Sequence, residues 1–163
     1  MIDFSQVRVL IPTGFGLNCE SESAQAWKTL GASARVLHWN ELFRDPALLD
    51  EAHLLMLIGG FAYGDHVASG RVLATRLRRR MGPAIERFIL ANKLILGVCN
   101  GFQTMVKLGL LPGLNGEWDR QRVSLIVNEP PKFRDAWVRL AVDKESPCIF
   151  TRGLQSLELP VRH

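Results

Sequence analysis

Leu94-Ile95-Leu96-Gly97-Val98-Cys99-Asn100-Gly101-Phe102-Gln103 is the stretch that decides the fold. An apolar run ends at Gly97, and the spacing of Phe102, Met105 and Val106 beyond it is helical. A strand that turns straight into a helix holds its apex residue in a strained backbone conformation, and side chains two positions either side would clash. Gly97 and Gly101 leave that space open. Cys99 is thereby presented above the C-terminal edge of a sheet. At a helix N-terminus the oriented N–H groups and the macrodipole favour negative charge, so Cys99 reads as a nucleophile. A lone cysteine in such a turn more commonly just packs. The paired glycines weigh against that plainer reading here.

Three further apolar runs precede the elbow. Residues 7–11 end at Pro12-Thr13-Gly14, residues 34–38 end at His38, and residues 54–58 end at Gly59-Gly60. Between the first two, Asn18 is placed to cap a helix. Glu20 and Glu22 fall in its first turn, Ala24, Trp27 and Leu30 share one face, and Gly31 stops it. Between residues 71 and 91 the pattern predicts one or two helices, interrupted near Gly82-Pro83. Strands apolar on both faces and alternating with helices predict a flavodoxin-like, open, mostly parallel α/β sheet covered by helices on both sides. Past Pro112 the pattern changes. Residues 121–128, 136–142 and 154–161 look like strands with little helix between them, which predicts an antiparallel extension in the C-terminal third. With no repeat, low-complexity tract or linker, residues 1–163 read as one domain.

Composition narrows the function. With 163 residues, 47% of them hydrophobic, the chain can bury a substantial core. No apolar run approaches a membrane span, and no signal peptide pattern opens the chain. Cys19, Cys99 and Cys148 make no C-x-x-C pair, which argues for a reducing, cytoplasmic setting. The net charge of +4 is mild and concentrated in Arg71, Arg76, Arg78, Arg79, Arg80 and Arg87. No aromatic residue interleaves with these arginines, so a nucleic-acid patch is disfavoured. A solvated helix face is the first expectation, a docking surface for an acidic protein the second.

In an open α/β sheet, ligands sit at the carboxyl ends of the strands. Cys99, Gly59-Gly60-Phe61 and Gly14-Phe15-Gly16 lie at three such ends and are expected to converge. A thiolate attacking a carbonyl needs an oxyanion hole and a general base. The amides of Gly60 or Phe61 can supply one donor and that of Asn100 the other. His38, His53, His66 and His163 are the available bases. His66 lies in the glycine-bearing loop, and His163 follows the last strand-like segment. No histidine or cysteine grouping has metal-site spacing. Gly14-x-Gly16 lacks the third glycine of a dinucleotide fingerprint, where Cys19 stands instead. Cys19, without flanking glycines, reads as structural.

Together these residues resemble the class I (triad) glutamine amidotransferases. The segments are Gly59 to Asp65, Gly97 to Gln103, Leu111-Pro112-Gly113 and Leu159 to His163, with Asn18-Cys19-Glu20 at the first helix. Within that family the likeness is strongest to the glutaminase component of phosphoribosylformylglycinamidine synthase. The resemblance implies that Cys99 attacks the side-chain amide of L-glutamine and releases ammonia, with His163 as base and Gln103 holding substrate. The ammonia would pass to a large ATP-dependent synthetase, which in some members is joined by a small accessory subunit. ATP and magnesium would belong to that partner, and no cofactor to this chain. The family's orienting acid, expected two positions after the histidine, falls past residue 163. The resemblance therefore implies a C-terminally incomplete domain with weak turnover. A non-catalytic module that binds or regulates a synthetase is the competing function.

Overall fold

The computed structural model describes residues 4–163. The chain forms two compact units, Met1–Leu125 and Ile126–His163.

The first unit is a four-stranded sheet in the order β2-β1-β3-β4, built from β1 (Arg8–Thr13), β2 (Ser33–His38), β3 (Leu54–Leu57) and β4 (Leu94–Gly97). Every pairing in it is parallel. Parallel neighbours require a crossover. α1 (Glu20–Thr29) links β1 to β2, α2 (Trp39–Arg44) lies between β2 and β3, and α3 (Arg71–Leu90) links β3 to β4. α4 (Asn100–Leu108) follows β4.

Alternation along the strands feeds two cores. Val9, Ile11, Leu54 and Ile58 pack with Ala24 and Trp27 of α1 on one face. Leu10, Leu55 and Leu57 pack on the other with Leu42 of α2, Leu73, Leu77 and Phe88 of α3, and Met105 of α4. Helices thus cover both faces, as the two-sided apolar runs require.

The structure departs from two local expectations. Asn18 does not cap α1; the N-cap is Cys19, at φ 69°, with no side-chain cap bond. The Asn18 side-chain Oδ1 instead accepts from Cys19 Sγ at 3.2 Å, while its backbone N–H donates to Gly59 O at 3.1 Å and so fixes the chain leading into α1. α3 is also one continuous helix with Pro83 inside it. Gly82 has no Cβ to collide with the proline ring, which removes the usual objection to a helical residue before proline. Leu77, Met81, Ala84, Ile85 and Phe88 bury a stripe across the junction and hold it helical.

In the second unit β5 (Asp135–Ala141) and β6 (Ser156–Arg162) form an antiparallel sheet of their own, with Trp137 opposite Pro160 and Leu140 opposite Leu157. The strand expected over 121–128 does not form. Its alternating apolar residues find no ladder partner among the described residues, and Ile126 and Val127 stay exposed.

Candidate active site

The elbow is built as its glycines demand. Cys99 sits between β4 and α4 at φ 51° and ψ −115°, a sparsely populated conformation costing of order 1–3 kcal/mol. Its side chain is exposed. A methyl group on Gly101 would lie 1.9 Å from Leu57 O, and one on Gly97 would lie 2.5 Å from Met105 Sδ and 2.9 Å from Phe102 N. The chain can pass through this turn only with glycine at both places.

The β3 loop closes against the elbow. A Cβ on Gly59 would stand 3.2 Å from Cys99 Cβ and 3.7 Å from Sγ, so the nucleophile lies directly over the first glycine of the pair. Gly60 bridges to Leu17 in the loop after β1, and its φ of 124° suits only glycine. The bridge is made by Asn18 N to Gly59 O and Phe61 N to Gly16 O, at 3.1 and 2.9 Å. Three strand ends therefore converge, as the sheet topology predicts.

That bridge separates the two expected oxyanion donors. The Phe61 amide is committed to Gly16, and its side chain points outward with 67% exposure. The amides of Gly60 and Asn100 donate to no group among the described residues.

Behind the elbow lies a polar cluster that composition does not reveal. Asn100 is fully buried. Its Oδ1 accepts from Ala62 N at 3.3 Å, and its Nδ2 donates to Asp65 Oδ1 at 2.8 Å and Gln103 Oε1 at 3.1 Å. Asp65 Oδ2 accepts from Ser69 Oγ at 3.0 Å. Thr104, also fully buried, donates to Asn100 O. The sequence marks Asp65 only as part of a motif, since its partner is thirty-five residues away.

The arginine-rich helix departs from a uniform solvated face. Arg76 is half-buried, its guanidinium 5.1 Å from the Phe15 ring, 5.2 Å from Phe43 and 5.5 Å from Tyr63. It also donates to Tyr63 Oη at 2.6 Å. Burial pushes the Tyr63 phenol above its ordinary range, and the arginine only partly offsets this. Arg78 donates to Leu108 O at 2.7 Å, satisfying the end of α4. Arg71, Arg79, Arg80 and Arg87 are exposed.

The histidines separate by their partners. His38 Nδ1 accepts from Asn40 N to cap α2, and the His53 ring binds Arg8. His66 is exposed in the β3 loop. His163 belongs to the second unit, its Nδ1 2.8 Å from Asn128 Oδ1 and its backbone paired with Arg134. Among the described residues, no group of three or more His, Cys, Asp or Glu is placed to hold a metal ion.

A strained, exposed cysteine at a strand-to-helix elbow, beside a glycine pair, places the chain among the parallel α/β domains that present a cysteine at a strand end. The chain belongs to the family of CobB/CobQ-like glutamine amidotransferase domains, whose family model matches residues 6–163. It is similar to phosphoribosylformylglycinamidine synthase subunit PurQ of Dehalococcoides mccartyi, with 42% identity over 98% of this chain and 62% of that protein. The PurQ subunit of Methanococcus maripaludis is 33% identical over 96% of this chain and 57% of its own length. Among solved structures, PurLQS from Thermotoga maritima matches with a TM-score of 0.73 and 26% identity, covering 96% of this chain and 66% of that one. The chain thus spans about three fifths of the length of the curated relatives it matches.

Proposed function

We propose that this chain carries the nucleophile of a glutaminase that supplies ammonia for the formation of formylglycinamidine ribonucleotide in purine biosynthesis. The observation that carries the reading is the Cys99 elbow, exposed, strained and seated over Gly59 with the Gly60 and Asn100 amides unengaged. The names of the similar PurQ subunits supply the pathway.

In this reading the Cys99 thiolate attacks the side-chain carbonyl carbon of L-glutamine. The carbonyl oxygen becomes an oxyanion held by the Gly60 and Asn100 amides. The protonated base gives its proton to the departing nitrogen, the C–N bond breaks, and ammonia leaves behind a glutamyl thioester. Water then attacks the thioester, the base takes its proton, and glutamate and free thiol return. Each oxyanion donor is worth about 10²–10³ in turnover. Gln103, adjoining Asn100 on α4, contacts the amino-acid end of the substrate. Phe61, on the outer wall of the β3 loop, borders it.

The ammonia passes to a large ATP-dependent synthetase, with which a small accessory subunit can associate. That synthetase, not this chain, handles ATP and magnesium, and the reaction is placed in the cytoplasm. No helix among the described residues is long and apolar enough to cross a membrane. His163 takes the base role in this proposal. Its ring is steadied by Asn128, whose Nδ2 is engaged by Lys132 O and His163 O and so leaves Oδ1 facing the imidazole.

A chloromethyl ketone analogue of glutamine tests the nucleophile. It is expected to alkylate Cys99 and spare Cys19 and Cys148, which are also exposed, with protection by excess glutamine. Uniform labelling of all three would overturn the proposal. In the same protein His163→Ala is expected to cut turnover at least 100-fold. Full turnover would move the base role to His66 or to a histidine in the part of the relatives' length that this chain does not span.

A further inference from the structure

Asp65 is not among the residues that a cysteine–histidine mechanism requires, yet its position is heavily determined. It sits at φ 53°, within a run in which Tyr63, Gly64 and Val67 also take positive φ. Left-handed backbone at a residue other than glycine is unfavourable and persists where surrounding contacts impose it. At Asp65 those contacts are visible. One Asp65 oxygen accepts from Asn100 Nδ2 and the other from Ser69 Oγ, so the carboxylate ties the β3 loop to the elbow helix at one end and to itself at the other.

Asn100 is the pivot. Its backbone amide is one proposed oxyanion donor. Its side-chain oxygen accepts from Ala62 N, two residues beyond Gly60, whose amide is the other donor. The two donors therefore belong to separate elements, the start of α4 and the loop after β3, and the Asn100 side chain fixes their separation. A primary amide can satisfy Ala62 with its oxygen only while its nitrogen finds acceptors on the opposite side. Asp65 and Gln103 are those acceptors. Of the two, the carboxylate makes the shorter and charge-assisted bond. Without it Asn100 keeps one weaker partner in a site closed to solvent, and the amide is free to rotate away from Ala62.

We infer that Asp65 is a positioning residue for glutamine hydrolysis, orienting the Asn100 amide so that the Gly60 and Asn100 N–H groups meet the same oxyanion. The inference rests on the proposed glutaminase reading and adds the group that sets its oxyanion hole. It also explains why the buried position after the nucleophile carries an amide. An apolar residue there would fill the space and leave Ala62 N unpaired.

The test uses the full protein that carries this sequence, with Asp65→Gly and Asp65→Asn. Glycine removes the carboxylate while accepting positive φ, and asparagine tolerates that conformation while retaining an acceptor oxygen for Asn100. Asp65→Gly is expected to lower kcat for glutamine about 100-fold with KM changed less than threefold, and Asp65→Asn to recover kcat to within fivefold of the parent. Alkylation of Cys99 by iodoacetamide, a displacement at saturated carbon that builds no oxyanion, is expected to proceed within twofold of the parent rate in both variants. Undiminished kcat in Asp65→Gly would overturn the inference, as would equal damage in the two variants. A parallel loss of iodoacetamide reactivity would also overturn it, because the elbow itself would then have collapsed. If the unsubstituted protein hydrolyses no glutamine, with or without a synthetase, the glutaminase reading fails first and the inference falls with it.

Discussion

Cys99 shows how much a single backbone conformation can demand of its neighbours. Holding φ at 51° costs free energy that a nucleophile does not recover from its own contacts. It is recovered from the close fit of β4 and α4 against β3, which brings Gly101 within van der Waals reach of Leu57. Gly101→Ala tests that account. The added methyl would meet Leu57 O and Leu57 C at 1.9 and 2.4 Å, both backbone atoms of a core strand that cannot swing aside. The expected result is a loss of about 1–3 kcal/mol in urea-induced unfolding, the usual cost of overpacking. On the proposed glutaminase reading, a fall in glutamine turnover of 100-fold or more should accompany it, as the elbow is pushed away from the loop after β3. A variant with unchanged midpoint and unchanged turnover would show that β3 and α4 are not pressed together as described.

At the level of elements, the parts that local pattern governs were legible and the parts that distant pairing governs were not. All four parallel strands fall within two residues of the apolar runs that announced them, because burial on both faces leaves an unbroken signature. The elbow was equally clear, since strand, glycines, cysteine and helix adjoin in sequence. Asn18 reads as a helix cap because nothing nearby indicates that its backbone N–H pairs with Gly59, forty-one residues on, and shifts the helix start to Cys19. Arg76 looked like one more solvated arginine because Phe15, Phe43 and Tyr63 reach it from three other segments. Residues 121–128 have the alternation of a strand, but alternation does not supply a neighbouring strand to bond with. Gly82-Pro83 looked like a break because proline lacks the N–H that a helix interior uses. Here tertiary packing overrides it, at a cost. Pro83 is exposed, and nothing on its outer side requires the ring. Pro83→Ala restores a donor toward Arg79 O and is expected to stabilise the protein by about 2 kcal/mol, after allowance for the greater freedom of the unfolded chain. Thermal or urea denaturation reads this directly. A loss of stability would mean that the ring sets the path of α3 rather than burdening it.

Over the whole molecule the two units differ in what holds them. The first has buried side chains on both faces of its sheet. In the second, over 126–163, no residue is buried, and its ordered part is a two-stranded sheet with Trp137 three-quarters exposed. A two-stranded sheet is marginal in water, so less burial holds the β5–β6 ladder than holds the parallel sheet. The Cys99 elbow, set by residues 8–108, should therefore outlast order in the ladder of β5 and β6. Native-state hydrogen exchange read by mass spectrometry separates the two. Amides of β1 and β3 are expected to exchange only through global unfolding. Those of β5 and β6 should open locally, exchanging at least 100-fold faster under the same conditions. Equal protection across all six strands would mean that the hairpin is held by contacts as strong as those of the core. Faster exchange in the hairpin, with the β1 and β3 amides still slow, would assign the rigidity around Cys99 to the parallel sheet alone. The Gly60 and Asn100 amides both lie in the first unit and are tied through the Asn100 side chain to Ala62 N, so opening of the β5–β6 ladder leaves their spacing unchanged.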